Sequence, residues 1–532
     1  MGRVLRMHEL MPKEPFPRTS GILLHPTSLP SRHGVGDLGE GALRFLEFLA
    51  KSGCGLWQML PLVPAGPGDS PYSTTSSLAG NPVLIDLEML HRAGLLTADE
   101  ITPPSPFSID VVDYGRVKAW KLPLVERAAD RLLAKPEHGL SAALAHFRDE
   151  NRWVEDVALY MALRAVHHGQ PWWQWPQELK DRDKSALLKA RRAHMPLVDR
   201  EIAIQLFFDV QWKALKIAAW DRGIRIVGDV PIYVDLDSAD AWANRDQFLI
   251  DAQGAPSHVS GAPPDAFSAI GQKWGNPLYN WPRMKENGHA FFVERMKRAL
   301  ELFDVVRIDH FRGFSRYWSI PKEAPDARGG RWEPGPDRAL FDDLERALGK
   351  LPIIAEDLGV IDDQVVALKD GVGLPGMKIL VFAFGEDALH PYLPHHIEEN
   401  SVVYTGTHDT NTVVGWWKET SDHVRDHVRR YLGTDGRHIA TDLVRAALMS
   451  RAHTAIVPFQ DVLSLDEGAR MNIPGQADGN WAWRVRVDAF NDGLAGHLGD
   501  LNRLYDRDIL RRLHDQARRD RAKAAAAAAE RT

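Results

Sequence analysis

The sequence predicts an α/β protein, a (β/α)8 TIM barrel with inserted, mostly helical subdomains, and three observations carry that prediction. Three short apolar runs, in FDVVRIDHFRG, LPIIAEDLG and SVVYTGTHDT, end abruptly in charged residues, delivering Asp309, Glu356 and Asp409 at their exits. Apolar runs of that length without polar alternation read as parallel strands buried on both faces. A β-α-β unit opens the chain. The 532 residues suffice for a barrel of about 250 residues plus large insertions. In such a barrel all strand exits share one face, so three carboxylates far apart in sequence can converge there.

Residues 1–20 are Pro-rich and polar, an arm laid on the surface. The stretch 21–62 holds the first two barrel strands, GILLHP and GLWQMLPLVP. Between them, GEGALRFLEFLAKSG places Leu43, Leu46, Phe48 and Leu49 at helical spacing before a glycine stop. PAGPGDSPYSTTSSLAGNP breaks this rhythm, and 63–220 reads as an inserted, mostly helical subdomain with WVEDVALYMALRAVHHG and EIAIQLFFDVQWKALKIAAWDRG as its clearest helices. Strand three, IRIVGDVPIYV, falls within 221–234. From 235 to 285, and above all in VSGAPPDAFSAIGQKWGNPLYNW, Gly, Pro and aromatics are too dense for regular structure; a loop this long is expected to be a lid over substrate. Residues 286–515 hold strands four to eight (VVRID, PIIAED, GMKILVFAF, VVYTGTHD and HTAIVPFQDVL) and the C-terminal helices. After strand eight the periodicity of AFNDGLAGHLGDLNRLYDRDILRRLHDQARRD is helical, so no C-terminal β-sandwich is expected. Residues 516–532 form an Ala-rich, low-complexity tail.

Composition narrows the function. With 65 basic and 72 acidic residues the net charge is −7, and nucleic acid is not an expected partner. The one cysteine, Cys54, lies in an apolar approach to a strand and reads as a buried structural thiol, which suits a reducing compartment. The N-terminus has no apolar core of signal-peptide length, Arg6 stands where a myristoylation signal wants Ser or Thr, and no window has eighteen consecutive apolar residues. A cytoplasmic protein without membrane attachment, a monomer or small homo-oligomer, is expected. The 17 tryptophans include many in loop-like contexts: Trp172, Trp173, Trp175, Trp274, Trp281, Trp332, Trp416 and Trp417. More than half are expected to pack inserted subdomains, the others to offer flat apolar faces for a pyranose ring.

Two carboxyl groups across a glycosidic bond, one ionised and one protonated, are the equipment for breaking it through an oxocarbenium-like transition state. Asp309 stands beside Arg307, whose charge keeps it ionised and suited to attack. Glu356 follows Ile353, Ile354 and Ala355, an apolar run-in that suits a raised pKa and a general-acid role. Asp409, flanked by His408, can bind sugar hydroxyls. Any one of these carboxylates alone reads equally well as a helix cap or surface ion pair, and His310 reads equally well as a cap of the following helix.

HPTSLP, DSPYS with AGNP, GDVPIYV, GQKWGNPLY, RIDHFRGF, AEDLG, YTGTHDT, and the pair RMNIPG and GNWAWR resemble the 4-α-glucanotransferases of the amylomaltase, or disproportionating enzyme, family (glycoside hydrolase family 77, α-amylase clan). The likeness runs from about residue 20 to 510, with no clear departure in the catalytic motifs. It implies Asp309 as nucleophile, Glu356 as general acid/base and Asp409 as transition-state stabiliser. It also implies Arg307 and His408 lining the −1 sugar site, Tyr72 stacking there, Ser70 and Asp229 in the same pocket, Trp274 as the lid tryptophan near the acceptor, and Asn472 bonding sugar. The implied substrates are maltooligosaccharides and amylose- or glycogen-type glucans. No cofactor and no metal are expected, because the chemistry is carried by carboxylates.

Three alternatives differ in class or outcome. An α-1,4-glucan hydrolase of the same clan would pass the glycosyl group to water; the insertions early in the chain and the helical end favour transfer. A metal-dependent barrel hydrolase could draw on His25, Asp309, His310, His408 and Asp409, but the first strand exit offers one histidine and not a closely spaced set. A non-catalytic glucan-binding protein predicts loss of a carboxylate, and all three are present.

Overall fold

The computed structural model describes residues 16–264 and 268–513, together with 515, 518 and 519. Most of the N-terminal arm and of the Ala-rich tail therefore lies outside the described residues, as does the centre of the lid segment, 265–267.

Twelve strands form among the described residues: β1 (Thr19–Leu23), β2 (Leu56–Gln58), β3 (Arg225–Val230), β4 (His258–Ala262), β5 (Gln272–Pro277), β6 (Val305–Ile308), β7 (Arg316–Pro321), β8 (Arg331–Pro334), β9 (Ile353–Ala355), β10 (Gly376–Ile379), β11 (Ser401–Tyr404) and β12 (Thr454–Pro458). Eight of them close into a barrel in the order β1-β12-β11-β10-β9-β6-β3-β2, every pairing parallel. These are the eight stretches expected from the sequence. Each of β6, β9, β11 and β12 is buried along its whole length, as strands covered by side chains inside and helices outside must be. The interior is filled: Tyr404 on β11 donates its hydroxyl across it to Gln58 Oε1 on β2 at 2.8 Å. Gly228 on β3 is required by close packing, since a Cβ there would stand 2.0 Å from the Phe303 ring.

The inserted region is helical, with Tyr114–Leu133, Ser141–Glu150, Trp153–Val166, Lys184–Ala193 and the 27-residue Met195–Asp221 as its main elements. The last of these leads into β3 and packs on the barrel, Trp212 donating its indole N–H to Leu302 O at 3.0 Å.

The stretch expected to be irregular is not. β4 and β5 pair antiparallel and join β7 and β8 in a second sheet of order β5-β4-β7-β8. Its small apolar core is Val259, Ile320 and Ala327, and the Trp318 and Trp332 rings meet edge to face at 5.0 Å. Half of this sheet comes from the connection after β6, so neither segment could show the pairing by itself. After β12 no strand follows among the described residues, and the helix Asp492–Leu504 returns to the barrel. There Asn502 accepts from Ser20 Oγ at 2.8 Å and donates to Ser52 O at 2.7 Å. Cys54 is buried beside the same Asn502, and burial pushes its thiol pKa up, which fits the structural role. Among the described residues no helix is long and apolar enough to cross a membrane.

Candidate active site

The register of the barrel sets the first contacts of the site. Asp229 on β3 pairs with Arg307 on β6, so their side chains stand side by side. The Arg307 guanidinium donates to Asp229 Oδ2 at 2.6 Å and to Asp309 Oδ1 at 2.8 Å. Burial opposes the charge on Arg307, but the Asp229 and Asp309 carboxylates outweigh it and hold its pKa well above the ordinary arginine value. Tyr72, from the loop after β2, donates its hydroxyl to Asp229 Oδ2 at 2.8 Å, and its backbone N–H donates to Ser70 Oγ at 3.3 Å.

Glu356 follows β9 and is 8% exposed. Its oxygens accept the backbone N–H groups of His310 at 2.6 Å and Leu358 at 2.9 Å. Burial, and then the charge of Asp309, push its carboxyl up to about 8, against the pull of Arg307. A group so placed holds its proton at neutral pH, the condition for a general acid.

Beyond β11, His408 Nε2 lies 3.2 Å from Asp409 Oδ2, and Asn472 Nδ2 donates to Asp409 Oδ1 at 2.7 Å. Burial works to raise the Asp409 pKa, but the neighbouring His408 and Asn472 win and hold it well below the usual carboxylate range. His408 moves in the complementary direction, its pKa raised by Asp409 in spite of burial. The His408 ring stacks on Tyr72 with centroids 5.1 Å apart and planes at 14°.

These groups meet in a cleft of about 700 Å³ at the C-terminal mouth of the barrel. Ser70, Tyr72, Trp274, Arg307, Asp309, Glu356, His408, Asp409 and Asn472 line it. Asp229 does not: it is 2% exposed and lies beneath Tyr72 and Arg307, so its expected place in the pocket is corrected to a place under the pocket floor. His310 is not a side-chain cap of the helical turn that follows it. Its backbone is left-handed (φ 53°), its side chain makes no cap hydrogen bond, and its ring lies edge to face with Trp274 at 4.7 Å. Burial pulls its pKa down to about 4. Of the eight loop-like tryptophans, Trp274, Trp332 and Trp416 line the cleft, whereas Trp172, Trp175 and Trp281 are buried in packing.

Residues not singled out from the sequence also enter the site. Trp481, in GNWAWR, packs at 5.8 Å from Tyr72 and 6.0 Å from His408 with a left-handed backbone (φ 63°). Its carbonyl accepts the Tyr114 hydroxyl from the helical insertion at 3.0 Å. Arg470 donates to Asp409 O at 2.8 Å, and the Arg312 guanidinium lies 3.9 Å over the Trp332 ring. The motif signalled an aromatic segment but not which of its two indoles would face the cleft.

Among the described residues one group has metal-ligand spacing. His33, Asp37 and Asp86 are buried with ligand atoms within 4.8 Å of one another, outside the residues lining the cleft. The buried Lys121 Nζ lies 3.5 Å from Asp37 Oδ2, so the group already contains a cation.

Comparison with known proteins places the chain among named relatives. The 4-alpha-glucanotransferase family profile matches residues 24–489. The 4-alpha-glucanotransferase of Thermus thermophilus is 46% identical over 479 residues, 88% of this chain and 95% of that protein. The chloroplastic/amyloplastic 4-alpha-glucanotransferase of Solanum tuberosum is 45% identical over 501 residues, 93% of this chain and 86% of that one. The amylomaltase from Streptococcus agalactiae in complex with acarbose superposes with a TM-score of 0.89 at 35% identity, covering 92% of this chain and 99% of that one. The likeness extends over nearly the whole of the described chain, and the chain belongs to the 4-α-glucanotransferase family.

Proposed function

We propose that this enzyme moves α-1,4-linked glucan segments from a donor to the 4-OH of an acceptor glucan or glucose by two displacements at one anomeric carbon. In the first, Asp309 attacks C1, its Oδ1 held by Arg307 and its other oxygen free to bond. The C1–O4 bond breaks as Glu356 gives its proton to the leaving oxygen, and the leaving segment departs with a new 4-OH. In the second, the ionised Glu356 takes the proton of the acceptor 4-OH, whose oxygen forms the new bond to C1 while the bond to Asp309 breaks. The number of glycosidic bonds is unchanged. Asp409, kept ionised by His408 and Asn472, binds the ring as positive charge develops on it. The observation that carries this reading is the contrast between two carboxyl groups in one cleft: Asp309 paired with the Arg307 guanidinium, Glu356 buried and pushed up to about 8.

Maltooligosaccharides and amylose- or glycogen-type glucans are the substrates this reading favours, given the acarbose in the S. agalactiae amylomaltase. The lone buried thiol of Cys54 suits a reducing compartment such as the cytoplasm. Incubation with maltotriose alone tests the reaction: a ladder of longer maltooligosaccharides with glucose and a constant number of reducing ends is expected. Rising reducing ends with only shorter products would identify a hydrolase instead. Asp309→Ala is expected to abolish turnover in a folded protein, and substantial residual activity would place the nucleophile elsewhere.

A further inference from the structure

The Gln-Asp pair of VPFQDVL, at the end of the last barrel strand, does not line the cleft and plays no role in the chemistry above. In the fold, β12 ends at Pro458 and the single helical turn Phe459–Val462 follows, carrying Gln460 and Asp461 behind the loop that bears Asp409. Asp461 is 2% exposed, and its two oxygens take two donors from opposite ends of that loop. Oδ2 accepts the Thr405 hydroxyl at 2.6 Å, immediately after β11, and Oδ1 accepts the Val413 backbone N–H at 2.8 Å, where the next helix begins. His408 and Asp409 lie on the span between. Gln460 Nε2 donates to Ala469 O at 3.2 Å, at the start of the segment from which Arg470 and Asn472 reach Asp409.

We propose that Asp461 is a positioning residue for Asp409, closing the Thr405–Val413 loop from behind so that the Asp409 carboxylate meets the flattened ring of the transition state. The inference rests on Asp409 as the transition-state stabiliser. Its physical basis is that the loop is irregular: it has no strand ladder to fix it, and a single buried carboxylate joins its two ends. Burial pushes the Asp461 carboxyl up to about 6, so near neutral pH it is ionised and both bonds are charge-assisted. A displacement of Asp409 by about 1 Å is enough to cost on the order of 10²-fold in rate.

Asp461→Asn tests this, because the amide has the size of the carboxylate but one acceptor oxygen. The expected result is a fall in kcat on maltotriose of on the order of 10²-fold with KM within about twofold. Affinity for a cationic, flattened-ring glucosyl analogue is expected to fall in parallel. Affinity of the same substitution in an Asp309→Asn background for neutral maltotriose is expected to hold. Unchanged kcat, or equal loss of affinity for the analogue and for maltotriose, would overturn the proposal, the second result pointing to a structural role alone. Asp409→Asn is measured beside it: full activity there would remove the reading on which the proposal rests, whereas an inactive Asp409→Asn with a fully active Asp461→Asn would overturn the proposal alone. If Asp461→Asn does not fold, Thr405→Val removes one of the two bonds; a smaller fall in kcat with KM held supports the proposal, and no change overturns it.

Discussion

Glu356 and Asp309 show how one like-charge neighbour and burial together prepare an acid. Because burial raises the Glu356 carboxyl, the folded protein binds that proton more tightly than the unfolded chain does. The stabilisation this supplies is complete below the ordinary carboxylate range and is lost as the pH rises through about 8. Glu356→Gln cannot ionise, so its Tm is expected to exceed the parent's at about pH 9, with the gap closing by about pH 5. An equal difference at both would show that burial does not perturb the group. The same proton sets activity: kcat/KM is expected to decline on the alkaline side with an apparent value near 8. In Asp309→Asn the repelling charge is gone, and Glu356, followed by carbon-13 NMR, is expected to titrate lower than in the parent. An unmoved titration would leave burial as the only cause. Arg307 and Asp309 were legible in RIDH because their pairing is local, two residues apart on one strand exit. The partners of Asp409 were not: Asn472 and Arg470 come from a segment some sixty residues later, and no local pattern marks that meeting.

Among the elements, the four-stranded sheet over the cleft was the least visible in the sequence. Its strands are short, broken by Gly and Pro, and paired across the whole of β6 and the helix before it, so its hydrogen bonds are non-local. The lid is thereby anchored rather than loose. β5 holds Trp274 against the His310 ring, next to the residue expected to attack. Such an arrangement can favour a sugar acceptor by excluding water while one indole face holds the incoming ring. Trp274→Ala is expected to raise the hydrolysis share of turnover and the KM for acceptor glucose, while the fold persists because the indole is 37% exposed. Reducing-end release measured beside glucose transfer checks this, and an unchanged ratio would move water exclusion to other parts of the cleft.

On the scale of the whole molecule, the inserted helices are joined to the site through one face of Tyr114–Leu133. Tyr114, Lys118 and Lys121 fall at spacings of four and three, on the same side of the helix. Tyr114 holds the Trp481 carbonyl, Lys118 Nζ pairs with Asp69 Oδ1 at 2.5 Å in the loop leading to Tyr72, and Lys121 meets the buried Asp37. Burial pulls the Lys121 ammonium down, and the Asp37 carboxylate is the first group that opposes this. Lys121→Met leaves Asp37 buried without its cation and is expected to lower stability by about 3 kcal/mol or more, read as the midpoint shift in urea. No shift would mean that His33 takes over the charge.

The eight barrel strands could be read from the sequence because a strand buried on both faces must be apolar throughout and must turn polar at its exit. That boundary condition is written into each run separately, and it marked Asp309, Glu356 and Asp409 as residues of one face. Helical periodicity likewise marked the insertion. Asp229 as a buried partner rather than a lining group, the left-handed His310 and Trp481, the sheet of β4, β5, β7 and β8, and the Asp461 tether were decided only in three dimensions. Each depends on which groups from distant segments come within about 3 Å, the reach of a hydrogen bond, and burial then sets their charge states.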